Sequence, residues 1–193
     1  MAKHNHKVSK KTAYVIDVNM GYGHSRAAHT LRDLSGGEVI SANDYPGIPK
    51  KDRKLWTQSR KLYEAISRLS TLPVFGPVIF DAKDYVQQIE NFYPRRDLSK
   101  PNLQTRQGYL FIKKGLMKHL FEKLAENPLP IVTTFFLPAQ AADEFNYPGE
   151  IYCLTTDADI SRSWAPRDPK KSRIKYFAPN GRVVERLKLY GVR

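Results

Sequence analysis

Apolar and polar positions along this chain follow two alternating periods, which predict strands and helices in alternation. Short apolar, β-rich runs predict five strands, at 13–18, 38–44, 131–136, 150–157 and 173–180. Apolar residues spaced three and four apart predict helices at 25–34, 52–70, 103–126, 138–145 and 181–192. Such alternation favours the α/β class, with a Rossmann-like parallel sheet and helices on both faces.

The pattern also predicts the limits of the domain. Residues 1–12 form a basic, polar stretch that is interpreted as a flexible tail, and residues 13–193 as one Rossmann-like domain. Ser25 is expected to cap the first helix. The apolar run 72–80 is interrupted by prolines and fits neither a regular helix nor an ordinary loop.

Composition narrows the class of protein. With one cysteine, Cys153, the chain has neither a disulfide framework nor a cysteine-based zinc site. The longest apolar runs, 72–80 and 130–139, are about half the ~20 residues that a membrane span needs. The basic N-terminus lacks the apolar segment of a signal peptide, so the sequence is interpreted as intracellular and not integral to a membrane.

The charge is unusual for a globular domain. The 32 lysines and arginines exceed the 19 acidic residues by 13. An excess of this size favours polyanionic partners, namely nucleic acid, an anionic lipid surface or a phosphorylated substrate. Charge alone does not choose between them.

The glycine-containing loop after the first predicted strand is the most informative segment. Gly21 and Gly23, with Asp44 about 20 residues on, partly fit a dinucleotide-binding fingerprint, but Arg26 occupies the third glycine position and opposes it. His24 opens a second interpretation. An imidazole in a crevice at a helix start suits a general base near neutral pH, although it can also simply fill space there.

The segment 19–28 resembles the N-terminal signature of the monogalactosyldiacylglycerol synthase family of glycosyltransferases. That family includes the processive diacylglycerol glucosyltransferases and is related to the MurG-type enzymes. The matching positions are Asn19, Gly21, Gly23, His24, Ala27 and Ala28. Further matches follow in order, at Arg60, Tyr63 and Gly76, at Thr134 and Phe135, at Asp157 and Trp164, and at Tyr176 and Gly191. Ser161 stands where the family often has a histidine.

The resemblance implies the N-terminal half of a GT-B fold, in which two Rossmann-like domains face a cleft. The N-terminal domain binds the acceptor, and a donor-binding domain would have to be supplied in cis or in trans. The implied reaction is an inverting transfer from a nucleotide-sugar, a UDP-sugar, to a lipid such as diacylglycerol. No metal and no cofactor are expected beyond this donor, which is a co-substrate.

The resemblance also implies roles for particular residues. His24 is the expected general base, and Asp157 is the expected acid that orients its imidazole, with a strand-end cap as the alternative role. The residues expected to line the acceptor cleft are Asn19, Gly21, Gly23, Thr134, Phe135 and Trp164. Trp164 can equally belong to the core.

A lipid acceptor requires contact with a membrane, so the expected location is the cytoplasmic side, peripheral to an anionic bilayer. The stretch 50–80 combines basic and apolar residues, as interfacial segments do. The expected docking residues are Lys54, Trp56, Arg60, Lys61 and Phe75. The alternative is that the apolar residues of this stretch pack on the sheet.

A function of another class remains open, namely a non-catalytic basic module that binds nucleic acid or a partner chain. Nucleic-acid binding favours aromatic residues interleaved with basic ones. Tyr93 beside Arg95 and Arg96 is a weak example, and nucleic acid is not an expected partner.

Overall fold

The computed structural model describes residues 11–20, 22–69 and 89–193. Within them lies one five-stranded sheet, in the order β2-β1-β3-β4-β5, in which every neighbouring pair is parallel. The strands are β1 (Tyr14–Asp17), β2 (Ile40–Ser41), β3 (Ile131–Thr133), β4 (Ile151–Leu154) and β5 (Lys175–Phe177). The predicted α/β, Rossmann-like fold is confirmed.

Six α-helices occur within the described ranges. They are α1 (Tyr22–Thr30), α2 (Lys50–Leu69), α3 (Leu103–Lys113), α4 (Lys118–Ala125), α5 (Phe136–Glu144) and α6 (Gly181–Leu189), with short 3₁₀ turns at Arg32–Ser35 and Arg162–Trp164. All four residues of β1 are buried. Because neighbouring strand residues point to opposite faces, both faces of the sheet are covered at its centre.

Several predicted boundaries are wrong. Helix α1 begins at Tyr22, three residues before Ser25, so Ser25 lies inside the helix and does not cap it. At the end of the predicted tail, the Thr12 backbone N–H and hydroxyl both donate to the Leu34 carbonyl. Residues 1–10 and the apolar run 72–80 lie outside the described residues.

The helix predicted at 103–126 is two helices, because the backbone turns between Gly115 and Met117. Both residues have positive φ, 98° at Gly115 and 65° at Met117, which no helix continues. The carboxylate of Asp52 accepts the Met117 backbone N–H at 3.2 Å, and Asp52 is itself buried. Burial raises the pKa of this carboxyl, and the Met117 hydrogen bond opposes that shift. Helix α2 is thereby tied to the junction of α3 and α4.

The strand predicted at 131–136 ends at Thr133. The Thr133 hydroxyl accepts the Phe135 backbone N–H and donates to the Phe135 carbonyl, so it occupies backbone groups that a continuing strand would use. Helix α5 then begins at Phe136, and Pro138 is tolerated in its first turn because the N–H there has no helical partner. Thr134 and Phe135 therefore lie at the carboxyl edge of the sheet.

Two buried arginines hold the irregular segment 89–102 against the C-terminal half of the chain. Arg186 on α6 bonds both carboxylate oxygens of Asp159 at 2.9 Å and also donates to the Glu90 carbonyl. Arg162 donates to the carbonyls of Ser99, Ala165 and Pro166. Each guanidinium satisfies several carbonyls or a carboxylate, which is the arrangement that allows a charge to be buried.

Cys153 lies in the middle of β4 and is fully buried. Burial raises the pKa of its thiol far above the ordinary range, because the thiolate would have no water around it. This cysteine is therefore part of the core and is chemically inert.

Candidate functional site

The candidate site lies where the chain reverses its direction of winding, between β1 and β3. In a doubly wound sheet, the crevice at this point opens at the carboxyl ends of the strands. Helix α1 follows β1, Thr134 and Phe135 follow β3, and Thr156 and Asp157 follow β4. The sheet thus brings together three of the segments that carry the sequence signature.

The imidazole of His24 is held from several sides in the first turn of α1. Its Nδ1 lies 3.0 Å from the Thr156 hydroxyl, and the Thr134 hydroxyl donates to the His24 carbonyl at 2.9 Å. The ring meets Phe135 edge-on, with centroids 5.0 Å apart, and lies 6.0 Å from Trp164. Within the described residues, Nε2 of this half-buried ring has no hydrogen-bond partner.

His24 borders a first cavity of about 410 Å³, here called the aromatic cavity. One wall comes from Phe135 and Phe136 with Trp164, and the opposite wall from helices α2 and α3, through Trp56 and Phe111. Among the described lining residues there is no lysine or arginine. The Asp157 carboxylate also lines this cavity, and a carboxylate disfavours an anion beside it relative to an uncharged ligand.

A second cavity of about 640 Å³, here called the open cavity, is also lined by His24. Its lining includes Gly23, Thr156 and Pro179, and His24 and Asp157 border both cavities. A Cβ added at Gly23 would meet nothing within 4 Å, so a ligand has room to approach the helix backbone there. His24 thus borders two cavities, of which the first has the larger number of aromatic lining residues.

The turn that carries Trp164 is held in place by hydrogen bonds to its backbone carbonyls. The Gln140 side chain donates to the carbonyls of Ser163 and Ala165 at 2.7 and 3.2 Å, and the Tyr176 hydroxyl donates to the Trp164 carbonyl at 2.8 Å. Trp164 is both core residue and cavity wall, since it is 4% exposed and lines the aromatic cavity. Ser161 lies at the same wall, and its hydroxyl pairs with that of Ser163 at 2.7 Å.

Asp157 does not occupy the position expected of an orienting acid. It is exposed, and the partner of the His24 Nδ1 is Thr156, one residue earlier. Thr155, the first residue after β4, instead donates its hydroxyl to the Phe177 carbonyl and joins β4 to β5. In the sequence, two threonines precede Asp157. Nothing in the sequence showed whether a threonine hydroxyl or the Asp157 carboxylate would bond the His24 imidazole.

Other predicted cleft residues are placed differently. Asn19 is exposed in the loop after β1, where its backbone N–H and carbonyl bond the Asn43 side chain, and it lines neither cavity. Gly21 lies outside the described residues. Thr134 contacts the His24 backbone rather than the aromatic cavity.

The predicted docking residues separate into two groups. Lys54, Arg60 and Lys61 lie exposed on α2. Trp56 is 6% exposed and forms part of the cavity wall, so it does not lie on the exposed side of α2 with these three cations. The reason is the helical period, which places Trp56 beside buried Leu55 and Asp52 on the inner face. Phe75 lies outside the described residues.

Sequence reasoning missed an exposed face on α3, here called the α3 face. It consists of Leu103, Arg106, Leu110, Lys113 and Lys114. Leu103 and Leu110 are 57% and 60% exposed. Gln104, Gln107 and Phe111 on the same helix line the aromatic cavity. An apolar and basic surface therefore adjoins one wall of that cavity.

The cluster around Tyr93 is electrically compensated. Arg95 lies over the Phe92 and Tyr93 rings and pairs with Glu185 at 3.4 Å, and Arg96 pairs with Glu90 at 2.7 Å. With these acids present, the cluster gives little support to nucleic-acid binding.

No protein-family model, curated protein or solved structure matches this chain. The described residues contain no group of three histidine, cysteine or acidic side chains able to hold a metal ion. None of the helices in the described ranges combines the length and the apolar character needed to cross a bilayer.

Proposed function

We propose that this chain is the acceptor-binding half of an inverting glycosyltransferase. It would act at a membrane surface, transferring a sugar from a nucleotide-sugar, such as a UDP-sugar, to the hydroxyl of a neutral lipid of the diacylglycerol type. The observation that carries this proposal is that His24 lines both the aromatic cavity and the open cavity. The sequence resemblance supplies the reaction class.

The division of space around His24 suits a single displacement. The acceptor hydroxyl lies at the aromatic cavity, and Nε2 of His24 takes its proton as the oxygen attacks the anomeric carbon. The bond from that carbon to the nucleotide diphosphate breaks in the same step, and the diphosphate leaves with the bond electrons. The donor approaches from the open cavity, held by a donor-binding domain in cis or in trans. An imidazole suits this role because it is the side chain most often used to take a proton in such a step.

The acceptor is uncharged because of the composition of the cavity. A lipid with a diphosphate head would bring negative charge into a space whose described walls hold aromatic rings, serines, glutamines and the Asp157 carboxylate, but no lysine or arginine. Burying an unpaired charge is strongly unfavourable, whereas apolar area gains roughly 25 cal/mol per Å² on burial. A diacylglycerol offers acyl chains to the aromatic wall and one hydroxyl to His24.

The α3 face supports docking on a membrane. All charged residues of this face are basic, and its two leucines are exposed beside them. Basic side chains gain about 1 kcal/mol each near an anionic bilayer, and exposed leucines enter the interface. Docking through this face, together with the exposed cations of α2, would bring the mouth of the aromatic cavity to the lipid.

Intrinsic fluorescence tests the acceptor assignment directly, because both tryptophans of the chain, Trp56 and Trp164, line the aromatic cavity. Dioctanoylglycerol with brominated acyl chains is expected to quench this fluorescence saturably, and unlabelled dioctanoylglycerol should reverse the quenching. Ser59→Phe, which fills the cavity wall, should weaken the quenching by about 10-fold. Thr57→Phe, on the exposed side of the same helix, is the matched control.

Absence of quenching in the wild-type chain would rule out the acceptor assignment. Equal quenching of the wild type and Ser59→Phe would move the lipid site away from this cavity.

Vesicle binding tests the docking surface. We expect binding to vesicles that contain phosphatidylglycerol, weak binding to pure phosphatidylcholine, and loss of binding as salt rises. Lys113→Gln with Lys114→Gln should weaken binding by roughly 30-fold, at about 1 kcal/mol per charge. Lys118→Gln with Lys123→Gln removes equal charge from α4 and is the control. Equal weakening by both pairs would show that only net charge matters and that α3 is not the docking element.

A further inference from the structure

The partner of the His24 imidazole decides which of its nitrogens carries the proton. A neutral imidazole has one N–H, on Nδ1 or on Nε2, and the hydrogen bond at one nitrogen fixes the state of the other. The partner of Nδ1 is the Thr156 hydroxyl, at 3.0 Å. A hydroxyl can donate or accept, so both tautomers are compatible with this pair. Only the tautomer with its proton on Nδ1 leaves a lone pair on Nε2.

The remaining contacts hold the plane of the ring without competing for its nitrogens. Phe135 packs edge-on at an interplanar angle of 65°, and Trp164 lies at 50°. Thr134 bonds the His24 carbonyl and so fixes the start of α1. Among the described residues, Thr156 is the hydrogen-bond partner of the His24 ring. Asp157 is exposed and makes no hydrogen bond to this ring within those residues.

We infer that Thr156 is the positioning residue of His24. Its Oγ1 accepts the Nδ1–H and thereby leaves the lone pair on Nε2 of a ring that borders both cavities. Thr156 is half-buried, so its own hydroxyl proton can be donated to water. The importance of the Nε2 lone pair rests on the proposed function, in which it takes the proton of the acceptor hydroxyl. The tautomer itself is a property of this chain and needs no substrate.

Nitrogen NMR of the full ¹⁵N-labelled chain tests this inference. Long-range ¹H–¹⁵N correlation of the imidazole rings at about pH 8, where an unperturbed imidazole is neutral, distinguishes a protonated nitrogen from one with a lone pair. The chain has five histidines, and the His24 signals are those lost in His24→Gln. We expect the wild type to carry its proton on Nδ1, and Thr156→Val to move it to Nε2.

Two variants distinguish a positioning role of the Thr156 hydroxyl from a general effect of the substitution on the fold. Thr156→Ser keeps the hydroxyl and should keep the wild-type tautomer. Thr155→Val makes the same chemical change one residue earlier, where the hydroxyl bonds the Phe177 carbonyl, and should leave the His24 signals unchanged. With a donor-binding domain supplied, Thr156→Val should lose transfer activity and Thr156→Ser should retain it.

A wild-type proton on Nε2, or an unchanged tautomer in Thr156→Val, would overturn the assignment. Neither result bears on lipid quenching, which tests the acceptor function separately. Conversely, a chain that shows the expected tautomers but binds no diacylglycerol would support the role of Thr156 and refute the acceptor function.

Discussion

Replacement of His24 by glutamine is expected to lower sugar transfer to diacylglycerol by about 10²–10⁴-fold, the usual contribution of a general base. The amide retains polar atoms in the space of the imidazole but cannot take a proton at neutral pH. Quenching by brominated dioctanoylglycerol should be unchanged, since the aromatic walls of the cavity remain. The measurement is product formation from a labelled nucleotide-sugar, with the donor-binding domain supplied in cis or in trans.

The matched control for this experiment is His29→Gln, on the same helix. His29 is exposed and its Nε2 lies 2.6 Å from an Arg32 nitrogen, away from both cavities. The His29→Gln variant should transfer sugar at the wild-type rate. Wild-type activity in His24→Gln would exclude this residue as the base, and loss of lipid binding together with activity would indicate a binding role instead.

Removal of the buried Arg186 guanidinium is expected to destabilise the chain by about 3–5 kcal/mol, because Arg186→Met leaves the Asp159 carboxylate without its buried partner. The Arg186 side chain is 1% exposed and that of Asp159 is 15% exposed. Arg182 bonds the same carboxylate at 2.7 Å but is 58% exposed. Arg182→Met should therefore cost only about 0–1 kcal/mol, and denaturant titration would measure both.

The Arg186–Asp159 pair also predicts how the stability of the fold depends on acid pH. Burial on its own raises the pKa of Asp159, but hydrogen bonds from Arg186, Arg182 and the Ile160 backbone lower it from 3.8 to about 2. A lowered pKa in the folded state stabilises the fold above the unfolded value, and that stabilisation is lost as the pH falls. The wild type should lose stability between about pH 4 and pH 2, and Arg186→Met should lose less over that window. Equal acid sensitivity in both would show that other carboxylates control the transition.

The fold could be predicted from the sequence because each strand is a distinct apolar run separated by polar and glycine-rich segments. The predicted helix and strand boundaries are wrong where side-chain hydrogen bonds override the local sequence propensity. The apolar period of 103–126 continues through the α3–α4 junction, and only Gly115 marks a break that Asp52 stabilises from another helix. The end of β3 depends on the Thr133 hydroxyl, whose partners a sequence pattern does not specify.

The candidate site was partly predictable for a similar reason. His24 lies in the first turn of the helix after β1, Phe135 and Asp157 lie just after β3 and β4, and strand ends of a parallel sheet meet at one edge. The sequence did not show which apolar side chains point into the protein and which point to its surface. Trp56 points inward and the leucines of α3 point outward, although all are apolar residues of basic helices. Which face is buried depends on packing against distant elements, so the docking surface could not be assigned from composition.

The inert thiol of Cys153 makes this chain suited to site-specific labelling. Because the only native cysteine is fully buried in β4 and its pKa is raised by that burial, thiol-reactive probes will leave the folded wild type unmodified. A cysteine introduced at an exposed position then becomes a single reactive group, with no native residue to remove first. A polarity-sensitive dye or a spin label at residue 106 or 113 could thus report its depth in a bilayer on an otherwise unaltered protein.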